Sequence, residues 1–339
     1  MSVIRRRVNA FSTSLGVSTS EKKILANHYA TGRKINCLII NPDILTQKLT
    51  EKKFFKEKCV YNEWYGEIDP QLISHINENT YDFIIVDKWI NSSYSNLRIN
   101  FLPLGKKNAN KVISVASFYE KFTHCSPILF MDSYLHNADR PLIKNTGWFF
   151  RVTKRLMDIG ISVTLAPFAV IFFLIGAIAT KLTSRGPIIF KQNRVGLNGK
   201  VFSIYKIRTM VHSPKGFNLH TTQNDRRITQ IGKILRKTKI DELPQLYNVL
   251  IGDMSLIGPR PEKKDIVDRF AKENRFYNFR HTVKPGITGW AQVNNPTATP
   301  EENLEKLEYD LYYINNASLK LELLILFKTV GVVSTMDSL

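Results

Sequence analysis

Three short apolar runs in the first third of the chain predict buried strands. They are INCLII (Ile35–Ile40), YDFIIVD (residues 81–87) and KVISVASF (residues 111–118), and mixed polar stretches separate them. Apolar runs of this length are typical of parallel strands that are covered on both faces. We therefore expect residues 35–135 to form a small α/β domain. The sequence contains no Gly-x-Gly-x-x-Gly loop, so nucleotide binding by this domain is not supported.

A longer apolar run, IGISVTLAPFAVIFFLIGAIAT at residues 159–180, carries no charge over 22 positions. The hydrocarbon core of a bilayer needs about 20 apolar residues in helical form. The run therefore predicts a membrane helix. The alternative is a buried helix of a soluble core, which fits shorter runs better.

The residues around this run indicate its topology. Lys154 and Arg155 precede it and Lys181 and Arg185 follow it, and positive charge favours the cytoplasmic side of a membrane. Pro167 removes an internal hydrogen bond and can bend a helix. We expect a re-entrant helix, at about residues 156–182, that enters the membrane, kinks at the proline and returns. A straight span is the alternative.

The C-terminal stretch predicts two further helices. Leu304, Leu307 and Leu311 recur at helical spacing, and residues 321–333 are almost entirely apolar. The second helix is expected either to pack into the core or to lie at the membrane interface. Residues 137–145 (NADRPLIKN) read as a linker between two domains.

Charge narrows the class of partner. The chain has 339 residues and a formal charge of +19, an excess that indicates a polyanion: nucleic acid, an acidic membrane surface or a phosphorylated substrate. Residues 181–290 hold 22 lysines and arginines against 8 aspartates and glutamates. We therefore expect the anion to bind beside the apolar helix.

The cysteines and the N-terminus bear on the compartment. Cys37, Cys59 and Cys125 are odd in number and far apart, so they predict neither a zinc site nor a disulfide framework. Few free cysteines fit a reducing cytosol. The N-terminus is basic without an apolar core after it, so no secretory signal is expected.

One acidic pair stands out in the basic region. Asp241 and Glu242 precede the segment LPQLYNVL, and acids at a helix N-terminus commonly offset the macrodipole, so helix capping is the plainer interpretation. A carboxylate among many cations keeps a low pKa and stays ionised. Such a group can attack phosphorus or hold Mg²⁺ together with substrate phosphates.

Several cations accompany this pair. The turn Gly-Pro-Arg-Pro at residues 258–261 fixes Arg260, whose planar fork suits a phosphate; a plain surface charge is the alternative. Glycines in residues 196–199 predict a hairpin. Lys206 and Arg208 follow at alternate positions, so on a strand they would share one face. That face either contacts phosphate or is merely solvated.

Five stretches in order resemble one known family. They are KRLMDIG, RGPIIFKQNRVGLNGKVFSIYKIRTM, KTKIDELPQLYNVLIGDMSLIGPRPE, VKPGITGWAQVN and YDLYYI. Together they are similar to the bacterial sugar transferases, the monotopic polyprenyl-phosphate phosphoglycosyl transferases, over residues 149–335. The resemblance implies an α+β monotopic membrane catalytic domain at residues 146–339, with a kinked re-entrant helix and interfacial amphipathic helices.

The segment before this domain resembles larger members more loosely, through VISVASFYEKF. Those members often begin with membrane spans and a Rossmann-like domain. We expect residues 1–145 to be a truncated Rossmann-like α/β domain with a basic N-terminal extension and without the preceding spans. Its role is open between regulation, oligomerisation and a vestigial domain, so a homo-oligomer remains open as well.

The resemblance also implies roles for individual residues. Asp241 would be the nucleophile and Glu242 its partner near Mg²⁺, so that both are candidate metal ligands. Lys206, Arg236 and Arg260 match basic positions around the substrate phosphates, and to these Arg208 is added from the strand pattern. These implied roles make the acidic pair catalytic rather than a helix cap.

Pro167 matches the proline that kinks the family's membrane helix. Two departures qualify the match. Ala166 stands where many members have a serine, so a serine hydrogen bond back to the helix is not available. After WAQVN this chain has Asn295-Pro296 rather than a Gly-Arg pair, which weakens inference about sugar recognition.

The resulting functional prediction is transfer of a sugar 1-phosphate from a nucleoside diphosphate sugar, with UDP expected, to polyprenyl (undecaprenyl) phosphate. The reaction would pass through an aspartyl phospho-sugar, release UMP and begin assembly of a surface polysaccharide. The expected place is the cytoplasmic face of the bacterial inner membrane, on anionic lipids, with no nucleic-acid partner. The alternatives are an ordinary glycosyl transferase and a non-enzymatic basic module that binds membranes or nucleic acid.

Overall fold

The structure is a computed structural model that divides into two units, Met1–Leu142 and Ile143–Leu339. The predicted linker and the basic N-terminus lie outside the residues that it describes. The described residues are 32–66, 69–86, 112–128, 131, 147–211, 225–296 and 302–335.

The first unit is built on a parallel sheet with the strand order β2-β1-β3-β4. Its apolar strand residues pack against one helix face, with Leu38, Leu72 and Ile84 fully buried. Its elements are β1 (Ile35–Ile40), α1 (Ile44–Thr50), α2 (Lys53–Lys58), β2 (Cys59–Trp64), α3 (Pro70–Glu78), β3 (Phe83–Val86), β4 (Val112–Ser114) and α4 (Val115–Thr123).

The sheet confirms the parallel α/β prediction and corrects two details. The third predicted strand is wrong beyond Ser114, because the Ser114 hydroxyl accepts a hydrogen bond from Ser117 N (3.2 Å) and begins α4. Strand β2 was missed. It lies at the sheet edge, and Asn62 and Glu63 interrupt its sequence, CVYNEW, so that it forms no apolar run.

The second unit places one long helix on a mixed α+β body. Its elements are α5 (Trp148–Thr183), β5 (Ile189–Val195), β6 (Val201–Ile207), α6 (Gln230–Lys237), α7 (Gln245–Ile251), β7 (Ser255–Ile257), α8 (Lys264–Glu273), β8 (Gly286–Thr288), α9 (Trp290–Asn294), α10 (Asn303–Asn315) and α11 (Leu319–Thr335), with short 3₁₀ turns at Leu197–Gly199, Ile240–Glu242 and Tyr277–Thr282.

Two small sheets shape this body. Strands β5 and β6 form the predicted antiparallel hairpin, whose register ends at Val195 opposite Val201. Strands β7 and β8 pair in parallel, and Gly258 passes so close to Gly286 that a Cβ on Gly286 would lie 2.1 Å from Gly258 N. No side chain fits at this crossing, which leads directly to Arg260.

The two C-terminal helices are confirmed as α10 and α11. One face of α11 is buried through Leu321 and Ile325, and the opposite face exposes Leu323, Phe327 and Val330. The helix therefore packs into the body on one side and presents an apolar surface on the other.

Helix α5 runs through Pro167 as one element. Among the described residues it is the single helix that is long and apolar enough to cross a membrane, and 17% of its most apolar stretch is buried. Its buried residues fall near the two ends, at Asp158 and Ser162 and again at Gly176 and Thr180. Within the described residues, the apolar middle of α5 is therefore not packed as a core helix.

Both ends of α5 are anchored on the body of the second unit. Near its start, Asp158 accepts from Leu256 N (3.0 Å), and Arg155 donates to Val249 O (2.6 Å) at the end of α7. Near its end, Gly176 lies against Ile207, Leu235 and Ile240, since a Cβ there would meet their side chains at 3.0–3.4 Å. Residues 163–175, between these anchors, include no buried residue.

Candidate functional site

The acidic pair lies on a short 3₁₀ turn, Ile240–Glu242, that follows α6. The chain reaches it through Lys239, whose φ of 59° is in the left-handed region and reverses the direction of the backbone. Asp241 and Glu242 are both buried, at 6% and 8% exposure. The turn therefore carries two adjacent carboxyl groups into the interior of the second unit.

Glu242 is held by two cations from distant parts of the chain. Lys206 Nζ, near the end of β6, donates to Oε1 at 2.6 Å. Arg260 Nη2 donates to the same oxygen at 2.6 Å, and Nη1 reaches Oε2 at 3.4 Å. Burial works to raise the pKa of Glu242, but these charges and hydrogen bonds outweigh it and hold the pKa well below its usual range.

Asp241 has a different environment. Its Oδ1 is buried without a hydrogen-bond partner. Burial, followed by the negative charge of Glu242, raises the pKa of Asp241 to about 6, against the opposing effect of Lys206 and other cations. The expectation that cations keep the pKa low is therefore wrong for Asp241 and correct for Glu242. A pKa near 6 still leaves Asp241 mainly ionised at neutral pH.

The pair makes no capping hydrogen bond to α7. Helix α7 begins at Gln245 with Pro244 as its N-cap, and no side chain caps it. The Glu242 carboxylate is instead occupied by Lys206 and Arg260. The two acids precede the helix without satisfying its free N–H groups.

The remaining predicted cations have other partners. Arg236 is close enough to Asp241 to affect its pKa, and its Nε donates to Thr209 Oγ1 at 2.8 Å. Arg208 lies just beyond β6 and donates from Nη2 to Ser184 O (2.8 Å) and Oγ (2.9 Å) at the end of α5. These bonds direct Arg208 to Ser184 rather than to Glu242, and its buried Nε and Nη1 have no partner.

Sequence reasoning missed three basic residues beside the site. Lys239 is near enough to Asp241 and Glu242 for their charges to affect its pKa. Arg194 and Arg280 hydrogen-bond the backbone around Arg260. The carbonyls that they reach beside Arg260, those of Pro261 and Arg260, are 67 and 20 positions away, so no local pattern identifies this role.

A metal ion bound beside Asp241 and Glu242 would need oxygen ligands from the substrate. Within the described ranges, no group of three or more His, Cys, Asp or Glu side chains could hold a metal ion. Asp241 Oδ1 has no partner, and Glu242 Oε2 receives only the 3.4 Å contact. These two oxygens fit Mg²⁺, which typically takes one or two carboxylates together with substrate phosphates and waters.

The second unit of the chain is similar to known proteins. A family model described as bacterial sugar transferase matches residues 149–336. A protein of Aeromonas hydrophila named UDP-N-acetylgalactosamine-undecaprenyl-phosphate N-acetylgalactosaminephosphotransferase is 48% identical over 184 residues, which cover 54% of this chain and 44% of the relative. A Klebsiella pneumoniae protein named UDP-glucose:undecaprenyl-phosphate glucose-1-phosphate transferase is 44% identical over 183 residues, 53% of this chain and 39% of the relative.

A shorter relative matches almost throughout its own length. The uncharacterized sugar transferase EpsL of Bacillus subtilis is 43% identical over 183 residues, which cover 53% of this chain and 86% of that protein. The match to the two longer relatives covers less than half of their length. The family match therefore lies in the second unit, which contains Asp241 and Glu242.

Proposed function

The chain belongs to the bacterial sugar transferase family, and from this premise we propose that it transfers a sugar 1-phosphate from a UDP-sugar to undecaprenyl phosphate. The observation that carries the proposal is Asp241, a buried carboxylate with one unpartnered oxygen inside the matched region. The names of the relatives support the substrate class, since they specify UDP-sugars and undecaprenyl phosphate.

In the first step, an Asp241 carboxylate oxygen attacks the sugar-linked phosphorus of the nucleotide sugar. The new bond joins that oxygen to phosphorus, and the bond to the bridging oxygen between the two phosphates breaks. UMP leaves with the bond electrons, and an aspartyl phospho-sugar remains. Burial and the charge of Glu242 disfavour the Asp241 anion, which makes it a better nucleophile than a fully solvated carboxylate.

In the second step, a phosphate oxygen of undecaprenyl phosphate attacks the same phosphorus. The acyl phosphate bond breaks, Asp241 regains its carboxylate, and the product is undecaprenyl diphosphate sugar. Lys206 and Arg260 keep Glu242 ionised beside the nucleophile. Arg236 provides further positive charge near Asp241, where the phosphoryl oxygens carry negative charge during each attack.

Mg²⁺, when bound, would neutralise part of the diphosphate charge. Asp241 Oδ1 and Glu242 Oε2 would be its protein ligands, as their contacts leave these oxygens available. The remaining positions would be filled by substrate phosphate oxygens and water.

The re-entrant topology is part of the proposal. Both ends of α5 contact the same body, through Asp158 and Arg155 on one side and Gly176 on the other, while the apolar residues between them are exposed. A helix whose ends share one body is more simply inserted from one face than passed through the bilayer. Pro167 lies in the exposed part, where a bend would let the helix return.

Arg208 is proposed to bind the acceptor phosphate. Its Nη2 is fixed on Ser184 at the C-terminal end of α5, while its buried Nε and Nη1 have no partner. A membrane-bound lipid presents its phosphate at the depth where this helix leaves the body. Anionic lipid headgroups and the inner-membrane cytoplasmic face fit the same arrangement, since Arg155, Lys181 and Arg185 flank the apolar run.

The decisive experiment measures products from wild-type protein in membranes or detergent, with undecaprenyl phosphate, Mg²⁺ and a panel of UDP-sugars that includes UDP-glucose and UDP-N-acetylgalactosamine. Release of UMP and a sugar-phosphate adduct on Asp241 support the proposal. Release of UDP would identify an ordinary glycosyl transferase. Retained biological function in Asp241→Asn would identify a non-catalytic module.

A further inference from the structure

The turn that carries Arg260 has four consecutive carbonyl groups, at residues 259–262, and a donor reaches each one. Backbone N–H groups serve the outer two: Gly286 N donates to Pro259 O and Val195 N to Glu262 O, both at 2.9 Å. Arginine side chains donate to the inner two, the carbonyls of Arg260 and Pro261. Prolines at 259 and 261 have no N–H, so this segment relies heavily on donors from elsewhere.

Arg280 donates a hydrogen bond to the carbonyl of Arg260 itself. Its Nη2 donates to Arg260 O at 3.1 Å and to Asp310 Oδ2 at 2.8 Å, and Nη1 donates to Tyr277 Oη at 2.6 Å. Both partners of the ion pair are almost fully buried, at 2% exposure for Arg280 and 1% for Asp310. The guanidinium is thus aimed at the protein backbone and has no exposed edge for a substrate.

Arg194 donates a hydrogen bond to the next carbonyl, that of Pro261. Its Nη1 donates to Pro261 O at 3.1 Å and lies 3.3 Å from Glu262 Oε2. Gln192 Oε1 accepts from Nη2 at 2.6 Å and from Nε at 3.0 Å, which fixes the plane of the guanidinium. Two arginines of this basic region are therefore used to hold main chain.

We propose that Arg280, oriented by Asp310, is a positioning residue that holds the main chain of Arg260 so that the Arg260 side chain stays on Glu242. Arg194 holds the main chain of the following residue, Pro261, in the same way. The inference rests on the proposed function, because it assigns a purpose to Arg280 within that site. A shift of about 1 Å at a catalytic group can lower the rate by up to ~10²-fold.

The choice of arginine supports this role. One guanidinium presents five donors in a fixed plane and here bonds three separate acceptors, Tyr277, Asp310 and the Arg260 carbonyl. A lysine keeps the charge for Asp310 but cannot span all three acceptors. Arg280→Lys therefore separates the positioning of Arg260 from the neutralisation of Asp310.

The test uses the full-length protein and two measurements. Hydrogen exchange at the amides of Arg260 and Glu262 is followed without substrate, and kcat and KM are measured with a UDP-sugar. Arg280→Lys is expected to raise the exchange several-fold and to lower kcat about tenfold. Arg269→Lys, on an exposed face of α8 with a loose 4.0 Å contact to Glu273, is the control and should change neither.

A double-mutant cycle distinguishes positioning from general stability. If Arg280 acts through Arg260, Arg280→Lys should cause little further loss of kcat in an Arg260→Lys background. Unchanged exchange at the amides of Arg260 and Glu262, or the same fold loss of kcat in both backgrounds, overturns the inference. Should Arg280→Lys not fold, Asp310→Asn is measured in the same way.

The exchange measurement also keeps the two proposals apart. If the wild type releases no UMP from any UDP-sugar, the proposed function fails, while exchange at Arg260 still decides whether Arg280 positions the turn. If UMP is released but exchange does not respond to Arg280→Lys, the positioning inference fails alone.

Discussion

Arg260 and Glu242 are joined by both ends of the guanidinium fork, with Nη2 2.6 Å from Oε1 and Nη1 3.4 Å from Oε2. The neighbouring carboxylate, Asp241, has an oxygen with no partner. The two adjacent acids therefore have pKa values displaced in opposite directions, low for Glu242 and raised to about 6 for Asp241. Such a separation commonly accompanies a division of catalytic roles.

The first prediction contrasts the two acids. Asp241→Asn should abolish the phospho-sugar adduct and lower turnover by about 10³-fold or more, because the nucleophile is gone. Its unfolding free energy should be unchanged or raised by roughly 1 kcal/mol, since a buried, unpartnered carboxylate is costly. Glu242→Gln should instead lower the unfolding free energy by about 2 kcal/mol, because Lys206 and the half-exposed Arg260 lose their counter-charge.

Mass spectrometry of the adduct and thermal unfolding in metal-free buffer check these two variants. A stable Glu242→Gln together with a destabilised Asp241→Asn would contradict the assignment of the ion pairs. An adduct that persists in Asp241→Asn would contradict the identity of the nucleophile.

The second prediction concerns topology. The described structure has its three native cysteines buried, so single exposed cysteines can report on α5. Trp148→Cys and Leu182→Cys, at positions 71% and 82% exposed, should both resist a membrane-impermeant maleimide in spheroplasts and both react after lysis. Ile171→Cys, between the anchors, should react only in detergent. Labelling of one end from outside would establish a spanning helix.

The acidic pair and Arg260 could be found from the sequence because they lie in short, ordered motifs. The apolar helix could be found because charge is absent from residues 159–180. The Arg280–Asp310 pair could not, since its members are 30 positions apart and join two elements only in the folded unit. The sequence alone does not show which distant side chains come into contact in the folded unit.

The Asp241 pKa shows a second limit. Counting cations near a carboxylate in sequence predicts a low pKa, whereas burial and the Glu242 charge raise it. Burial depends on how Ile240 packs against α5 and β6, which no local pattern gives. Strand β2 was missed for a similar reason: its place beside β1 comes from tertiary pairing, because Asn62 and Glu63 interrupt its apolar residues.

The third prediction separates the two half-reactions. Arg208→Ala should leave formation of the aspartyl adduct within about threefold of wild type and raise the KM for undecaprenyl phosphate by about tenfold, as one charge-assisted phosphate contact is lost. Ser184→Ala is the control, because it removes the 2.9 Å hydroxyl contact and keeps the guanidinium. Rapid-quench measurement of UMP release without acceptor isolates the first step. An equal loss in both steps would place Arg208 with the donor phosphates instead.

The fourth prediction tests the contact between α5 and the catalytic turn. A Cβ at Gly176 would lie 3.0 Å from Ile207 Cδ1, 3.1 Å from Leu235 Cδ2 and 3.4 Å from Ile240 Cγ2. Gly176→Val should therefore push the helix away from Ile240, the residue before Asp241, and cost about 1–3 kcal/mol through overpacking. Turnover should fall about tenfold.

The control variant is Gly160→Val, which makes the same substitution in the same helix, where nothing lies within 4 Å of a Cβ. That variant should keep its activity and stay within about 0.5 kcal/mol of the wild type. Steady-state UMP release and thermal unfolding measure both variants, and equal behaviour of the two would mean that α5 does not support Asp241.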